Sequence, residues 1–201
     1  IEVYGHVPQL VSHLHLPVQS GSNSILKRMK RNYSRELYID VIEKLKLVRP
    51  NIKVSSDFIV GFPGETDADF QQTMDLIEEV QFDASFSFIY SARPGTPASK
   101  LQDVTALAEK KERLNILQNR IDELQTLYSD ALAGTIQRCL VTGISRKNIK
   151  QLQARTECNR VVNFDFQNIN ILGKLVDINI TKSYQRSLVG KILNSEELQS
   201  A

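Results

Sequence analysis

Asp57-Phe-Ile-Val-Gly-Phe-Pro-Gly-Glu-Thr66 carries a strand into a helix through a Gly-Phe-Pro-Gly turn, the junction where open and closed α/β folds place their chemistry. Before the turn, residues 53 to 60 alternate, with Val54, Phe58 and Val60 on one face and Ser55, Asp57 and Ile59 on the other. After it, Thr66 is a helix N-cap and Asp69 completes a capping-box pattern. A stripe of Phe70, Met74, Ile77 and Val80 follows.

Working outward, His-Leu-His-Leu-Pro-Val-Gln-Ser over residues 13 to 20 reads as the preceding strand, with His13, His15, Pro17 and Gln19 on one face. Gly21 and Ser22 break it, and a basic stretch, Lys27-Arg28-Met29-Lys30-Arg31, follows. Ser34 then opens a helix whose apolar residues Leu37, Val41, Ile42, Leu45 and Val48 recur at helical spacing up to Pro50. A third strand, Ala84 to Tyr90, runs into Ser-Ala-Arg-Pro-Gly-Thr-Pro-Ala. Successive strand-loop-helix units imply a parallel sheet or a barrel segment with its post-strand loops on one side, where Gln19, Gly61 and Arg93 meet.

From Thr105 to Leu132 an a/d seam of Leu107, Leu114, Leu117, Ile121, Leu124, Tyr128 and Ala131 predicts one long helix stopped by Gly134. It reads as a connector packed on the outside of the first domain rather than a dimerising coiled coil. Beyond Gly134, β-branched runs at 136–142, 155–156, 160–163, 174–180 and 188–192 predict a small antiparallel barrel of the OB-like kind. The chain is thus α/β. Residues 1–134 form a partial β/α barrel with its connecting helix, 135–194 a small β-barrel, and 195–201 a polar tail expected to fray.

Composition excludes some classes of function. The 201 residues are 41% hydrophobic and 24% charged, which suits one or two packed domains. No apolar run approaches a membrane span and no leader opens the chain, so a cytoplasmic protein is expected. The start at Ile1 rather than Met suggests that upstream chain has been removed. Cys139 and Cys158 have no metal-ligand or C-x-x-C spacing and are expected as free thiols. Residues 1–134 hold 15 Lys and Arg against 18 Asp and Glu, whereas 135–201 hold 10 against 5. A basic C-terminal third favours a polyanion such as RNA.

Several residues invite a chemical reading beside a structural one. His13 and His15 share a strand face as in metal-dependent hydrolases, but the further ligands such sites need are missing, and no metal site is expected. Asp57 faces away from the apolar side of its strand; a carboxylate so placed has either a structural partner or a ligand, and both stay open. Gly61 and Gly64 admit a ligand close to the backbone or simply allow a tight turn. No phosphate-binding glycine motif is present. Arg93 either binds a carboxylate or phosphate or caps an exposed loop. In the C-terminal barrel Arg146, Lys147 and Lys150 share a loop, while Arg155, Asn159 and Arg160 flank a strand. With only Phe164 and Phe166 as nearby aromatics, phosphate contact is favoured over base stacking.

Four stretches carry a family resemblance: His15-Leu-Pro-Val-Gln-Ser-Gly-Ser22, Met29-Lys-Arg-Asn-Tyr33, Asp57 to Thr66, and Tyr90-Ser-Ala-Arg-Pro-Gly-Thr-Pro-Ala98. Together they resemble the radical S-adenosylmethionine (SAM) methylthiotransferases. Residues 136–193 look like the TRAM domain of that family, and Arg155-Thr-Glu-Cys-Asn-Arg-Val-Val-Asn-Phe164 is similar to the branch that methylthiolates N6-isopentenyladenosine in tRNA. The resemblance implies the second half of a TIM-like radical SAM barrel, a long helix and a TRAM barrel. It implies S-adenosylmethionine and two 4Fe-4S clusters in the full-length enzyme, a tRNA anticodon stem-loop as substrate and an electron donor for the cluster.

In that enzyme, reductive cleavage of the cofactor to a 5′-deoxyadenosyl radical, hydrogen abstraction at adenine C2 and sulfur insertion with methyl transfer are expected. The resemblance places Gln19 and Ser20 beside the ribose or methionine moiety, Asp57, Ile59 and Gly61 along the adenine, and Tyr90 and Arg93 toward cofactor or target adenosine. RNA contacts fall to Arg146, Lys147, Arg155, Asn159 and Arg160. The adenine motif departs from the family pattern, with Asp57 where glycine is frequent and Glu65 one place late. The cluster-binding cysteines of the family are absent from this sequence, so this chain alone is expected to hold no cofactor, to be catalytically inactive and to be a monomer. Two rivals remain: the branch of the same family that modifies an aspartate of a ribosomal protein, and an RNA-binding adaptor without catalysis.

Overall fold

Ser34 and Thr66 cap the two 14-residue helices of the N-terminal half, each through a side-chain oxygen that accepts a backbone N–H. The computed structural model describes residues 1–165, 169–184 and 186–193; Phe166 and the tail Asn194 to Ala201 lie outside them. The chain divides into two units, residues 1–10 with 14–124, and 11–13 with 125–201.

In the first unit the order is α1 (Glu2–His6), β1 (His13–His15), α2 (Asn23–Arg28), α3 (Arg35–Val48), β2 (Lys53–Val60), α4 (Asp67–Val80) and β3 (Ala84–Ile89), followed by α5 (Leu107–Asp130). The sheet order is β1-β2-β3, and β2 and β3 run parallel with Asp57 opposite Phe86 and Ile59 opposite Phe88. Phe58 and Val60 point into the core, where Phe58 meets Phe82 edge-on at 5.3 Å and Tyr38, Ile42, Leu45, Leu76 and Ile77 close around them. The opposite face is open: Phe86 is 64% and Phe88 55% exposed.

The capping box at Thr66 and Asp69 is complete, and α4 buries Phe70, Ile77 and Val80 as its spacing predicts, whereas Met74 is only half-buried and Leu76 is buried instead. In α3 the buried stripe is Tyr38, Ile42 and Leu45, while Leu37 and Val48 are exposed. The strand expected over residues 13–20 stops at His15. Pro17 has no N–H to offer a ladder, and side chains take over its bonding. Ser56 Oγ accepts the Val18 N–H and donates to the Leu16 carbonyl, and the hydroxyls of Tyr38 and Tyr33 donate to the carbonyls of Leu16 and Val18.

The second unit contains β4 (Ile136–Ile144), β5 (Gln151–Thr156), β6 (Val161–Asp165), β7 (Leu175–Tyr184) and β8 (Ser187–Ile192), closed into a barrel in the order β4-β5-β6-β8-β7. Four neighbouring pairs are antiparallel, as expected, but β6 and β8 run parallel. A closed ring with an odd number of strands cannot alternate direction at every step, so one pair must be parallel. Cys139, Val141, Leu152, Ala154, Val162, Phe164, Ile178, Ile180 and Leu188 fill the interior. Phe164 is therefore core, not a stacking platform. Burial pushes the Cys139 thiol up to about 12, which leaves it inert as a nucleophile.

Gly21 permits the close approach of the α2 entry to α4: a Cβ there would lie 2.4 Å from the Gln72 carbonyl oxygen and 2.6 Å from Thr73 Cα. Gly21→Ala is expected to cost about 1–3 kcal/mol through this overpacking, and Thr66→Ala about 1 kcal/mol through loss of the cap, both measured by urea denaturation.

Candidate functional site

Gln19 enters the site because the backbone of residues 16–19 leaves the ladder early. Its backbone is left-handed, with φ 75°, and it forms a lone parallel bridge to β2: its N–H donates to the Asp57 carbonyl and its carbonyl accepts the Ile59 N–H, each at 2.9 Å. The bridge pairs Gln19 with Phe58, next to Ile59 in β2.

The β2–α4 turn is fixed from below by a buried ion pair. Glu65 accepts the Gly61 N–H at 2.7 Å and Arg113 of α5 at 3.0 Å, with only 1% and 6% of the two charged side chains exposed. Arg113 also reaches Asp67 at 2.7 Å and Glu109 at 2.6 Å. Burial pushes the Glu65 carboxyl up, against the Gly61 N–H and Arg113, which favour its ionised form. Burial also works against the Arg113 charge, but Asp67 and Glu65 outweigh it and its pKa is raised. Gly61, with φ 67°, abuts the Lys110 side chain, where an added Cβ would lie 2.5 Å from Cγ.

Above the turn lies a cavity of about 610 Å³, lined by Gln19, Ile59, Phe62, Phe88, Tyr90 and Arg93 together with the segments Arg28–Arg31 and Thr96–Ala98. Phe62 and Tyr90 pack edge-to-face at 4.9 Å. Tyr90 Oη is buried without a hydrogen-bond partner among the described residues, a polar group that a ligand in the cavity would satisfy. The size and the mixed apolar and polar lining suit a nucleoside-sized ligand.

Of the residues expected at the cofactor, Gln19, Ile59, Tyr90 and Arg93 converge on this cavity. Ser20, Asp57 and Gly61 do not line it. Ser20 is fully buried, 3.4 Å from the Thr73 hydroxyl. Asp57 lies 3.4 Å from His15 Nε2, and the other ring nitrogen of His15 is 3.0 Å from Ser55 Oγ. The Asp57 carboxylate thus has a structural partner, and so does the His15 ring. Sequence reasoning missed Arg28, Lys30, Arg31 and Phe62 at the cavity and Arg113 beneath it. The basic run itself was the available signal for the first three.

In the barrel unit, Arg146, Lys147 and Lys150 stand exposed on the β4–β5 loop beside Ile149, which is 82% exposed. Arg155 is exposed, and its guanidinium donates to the carbonyl and side-chain oxygens of Asn159 at 2.9 Å. Arg160 differs from expectation: it is buried, its Nε donates to Ser129 Oγ at 3.0 Å and its Nη1 lies 3.3 Å from Cys158 Sγ. It ties the β5–β6 turn to the end of α5.

The described residues contain no group of three or more His, Cys, Asp and Glu side chains able to hold a metal ion. The two cysteines of the chain both lie in the barrel unit. These residues do not fit the thiolate set of a 4Fe-4S cluster. No helix of the described residues is long and apolar enough to cross a membrane.

Residues 2–77 match the Radical SAM superfamily and residues 130–193 the TRAM domain. The chain thus carries a segment that matches the radical SAM model and a TRAM domain. It is 56% identical over 197 residues to the tRNA-2-methylthio-N(6)-dimethylallyladenosine synthase of Histophilus somni, covering 98% of this chain and 41% of that protein. The synthase of the same name from Erwinia tasmaniensis is 57% identical over 196 residues, with 98% and 41% covered. That from Legionella pneumophila is 53% identical over 196 residues, with 98% and 44% covered. The chain therefore spans about two fifths of the length of the curated relatives it matches.

Arg113→Ala would strand a buried carboxylate and is expected to cost about 3 kcal/mol or more in chemical denaturation. Glu65→Gln with Arg113→Met is expected to recover most of that loss.

Proposed function

We propose that this chain belongs to a cytoplasmic tRNA-modifying radical SAM methylthiotransferase, acting at C2 of N6-isopentenyladenosine next to the anticodon. It supplies the adenosine-facing cavity and the RNA-binding barrel. The observation that carries the reading is the convergence of Gln19, Ile59, Tyr90 and Arg93 on one cavity, in a chain that also bears a TRAM domain. The names of the relatives supply the reaction.

When bound in the whole enzyme, S-adenosylmethionine and the iron–sulfur clusters, fed by an electron donor, supply the radical and the methyl group. The residues of this chain bind and orient. Gln19 offers an amide to the ribose or methionine moiety, and the unsatisfied Tyr90 hydroxyl a hydrogen bond. Ile59 and Phe62 exclude water from the ring. Ser20, Asp57 and Gly61 act from behind: the Asp57 carbonyl accepts the Gln19 N–H, Ser20 Oγ accepts the Ser22 N–H, and the Gly61 N–H anchors the β2–α4 turn on Glu65. On the barrel, Arg146, Lys147 and the Arg155–Asn159 pair contact RNA phosphates, and Ile149 offers an apolar surface to an unstacked base.

Binding of a fluorescent anticodon stem-loop RNA tests the reading. Affinity should fall steeply with salt, and Arg146→Ala, Lys147→Ala and Arg155→Ala should each lower the log–log salt slope by about 0.7–0.9. Arg160→Ala should instead lower the melting temperature. Equal binding of the stem-loop and an unrelated RNA hairpin would favour the protein-modifying branch and count against this proposal. Incubation of the chain with iron and sulfide should leave no cluster absorbance after desalting; a stable stoichiometric cluster would contradict the ligand assignment.

A further inference from the structure

Four cations, Arg28, Lys30, Arg31 and Arg93, line the cavity, and no carboxylate does. Elsewhere in the same unit Arg35 pairs with Glu79, Arg113 with Glu65, Asp67 and Glu109, and Arg120 with Glu78 and Glu123, while Arg49 donates to the carbonyls of Leu10 and Val7. None of the four cavity cations has an ion pair among the described salt bridges. Arg28 donates to the Gly64 carbonyl at 3.3 Å and feels Asp69, whose carboxylate is already bound by Ser22 and Thr66. The positive charge at this rim is therefore concentrated and largely uncompensated within the unit.

Local geometry presents it. α2 ends in a Schellman-type turn, with the Arg31 N–H donating to the Leu26 carbonyl at 2.9 Å and the Lys30 N–H to the Lys27 carbonyl at 3.1 Å. Lys30 takes the left-handed position of that turn, φ 60°, where glycine is the ordinary occupant. The turn sets Lys30 and Arg31 on the cavity side of the helix end, and all of Arg28, Lys30 and Arg31 are exposed. Apolar and aromatic groups, Met29, Ile59, Phe62, Phe88 and Tyr90, make up much of the remaining wall.

The charge of the ligand decides what such a rim holds. S-adenosylmethionine brings a single carboxylate beside its sulfonium and ammonium, so even when bound it leaves most of the four cations without a counter-charge. An RNA strand brings a negative charge with every nucleotide. We infer that Arg28, Lys30 and Arg31, with Arg93, form a phosphate clamp for single-stranded RNA at the mouth of the cavity. The clamp holds the phosphodiesters that flank the nucleotide whose base enters against Tyr90 and Phe62. This rests on the tRNA reading above and adds to it a backbone contact outside the TRAM domain, made by the unit that holds the cavity.

The experiment titrates the 201-residue chain into a fluorescent anticodon stem-loop RNA across a salt series. Wild type is compared with a rim triple variant (Arg28→Gln, Lys30→Gln, Arg31→Gln) and a barrel double variant (Arg146→Gln, Lys147→Gln). The rim variant should bind at least tenfold more weakly at low salt, with a salt slope smaller by about 2. Lys30→Gly separates charge from structure: it removes the ammonium and suits the left-handed backbone, so it should keep or raise the melting temperature while weakening RNA binding several-fold. Rim variants that bind like wild type while the barrel variant is weakened would overturn the clamp and leave the tRNA reading standing. A wild-type chain that fails to bind the stem-loop would overturn both. Calorimetric titration with S-adenosylmethionine covers the cofactor carboxylate as the alternative anion: rim variants that lose this binding but keep RNA affinity and slope would also overturn the clamp.

Discussion

Glu65 accepts the Gly61 N–H and the Arg113 guanidinium at once, and the β2–α4 turn and the placement of α5 follow from that pairing. A buried pair of this kind adds little net stability, because desolvation consumes most of the Coulombic gain. What it supplies is position. Either charge left alone in the same place is heavily penalised, so α5 is held in the one register that brings Arg113 under the turn. Arg120 repeats the contact two turns later on Glu78 of α4, at the surface and with less at stake. Phe70, beneath the Arg113 guanidinium at 5.8 Å, joins the hydrophobic stripe of α4 to the same anchor.

The irregular stretch between β1 and α2 shows a different economy. Its backbone would be expensive to bury unpaired, yet beyond Pro17 it pairs with β2 only at Gln19. Three hydroxyls, those of Ser56, Tyr38 and Tyr33, serve the Leu16 and Val18 backbone groups instead. Freed from strand alternation, Gln19 takes a left-handed backbone and sits where its amide and the Ile59 side chain share one wall. Satisfying the backbone with side chains is therefore what makes room for the site.

Features set by near neighbours in sequence were legible. The capping box at Thr66 and Asp69, the alternation of β2 and the length of α5 depend on residues a few positions apart, and their patterns survive in the structure. The gathering of Gln19 and Arg93 was also readable, because parallel strands joined by helices bring their following loops to one edge, although Gly61, expected with them, does not line the cavity. What escaped was set over long separations. The partner of Glu65 lies 48 residues away on another element, so the residue read only as a displaced motif position. Whether Asp57 met a ligand or a structural partner stayed open in the sequence because His15, its partner, belongs to another strand. Arg160 looked like an RNA contact from charge alone, whereas its partner Ser129 lies 31 residues earlier, inside a helix whose seam gave no hint of it.

The parallel pairing of β6 with β8 bears on how the barrel comes into being. β8 is the last strand of the described chain, and it sits between β6 and β7 rather than at the edge of a growing sheet. Until it is in place, β6 and β7 each expose an unpaired edge, and the interior around Phe164 and Leu188 stays open to water. On the ribosome, β4 to β7 therefore emerge as an unfinished ring that no local contact can complete. Closure waits for the β7–β8 hairpin, the last one in the described barrel, so the ring closes late and its β6 and β7 edges stay open until then.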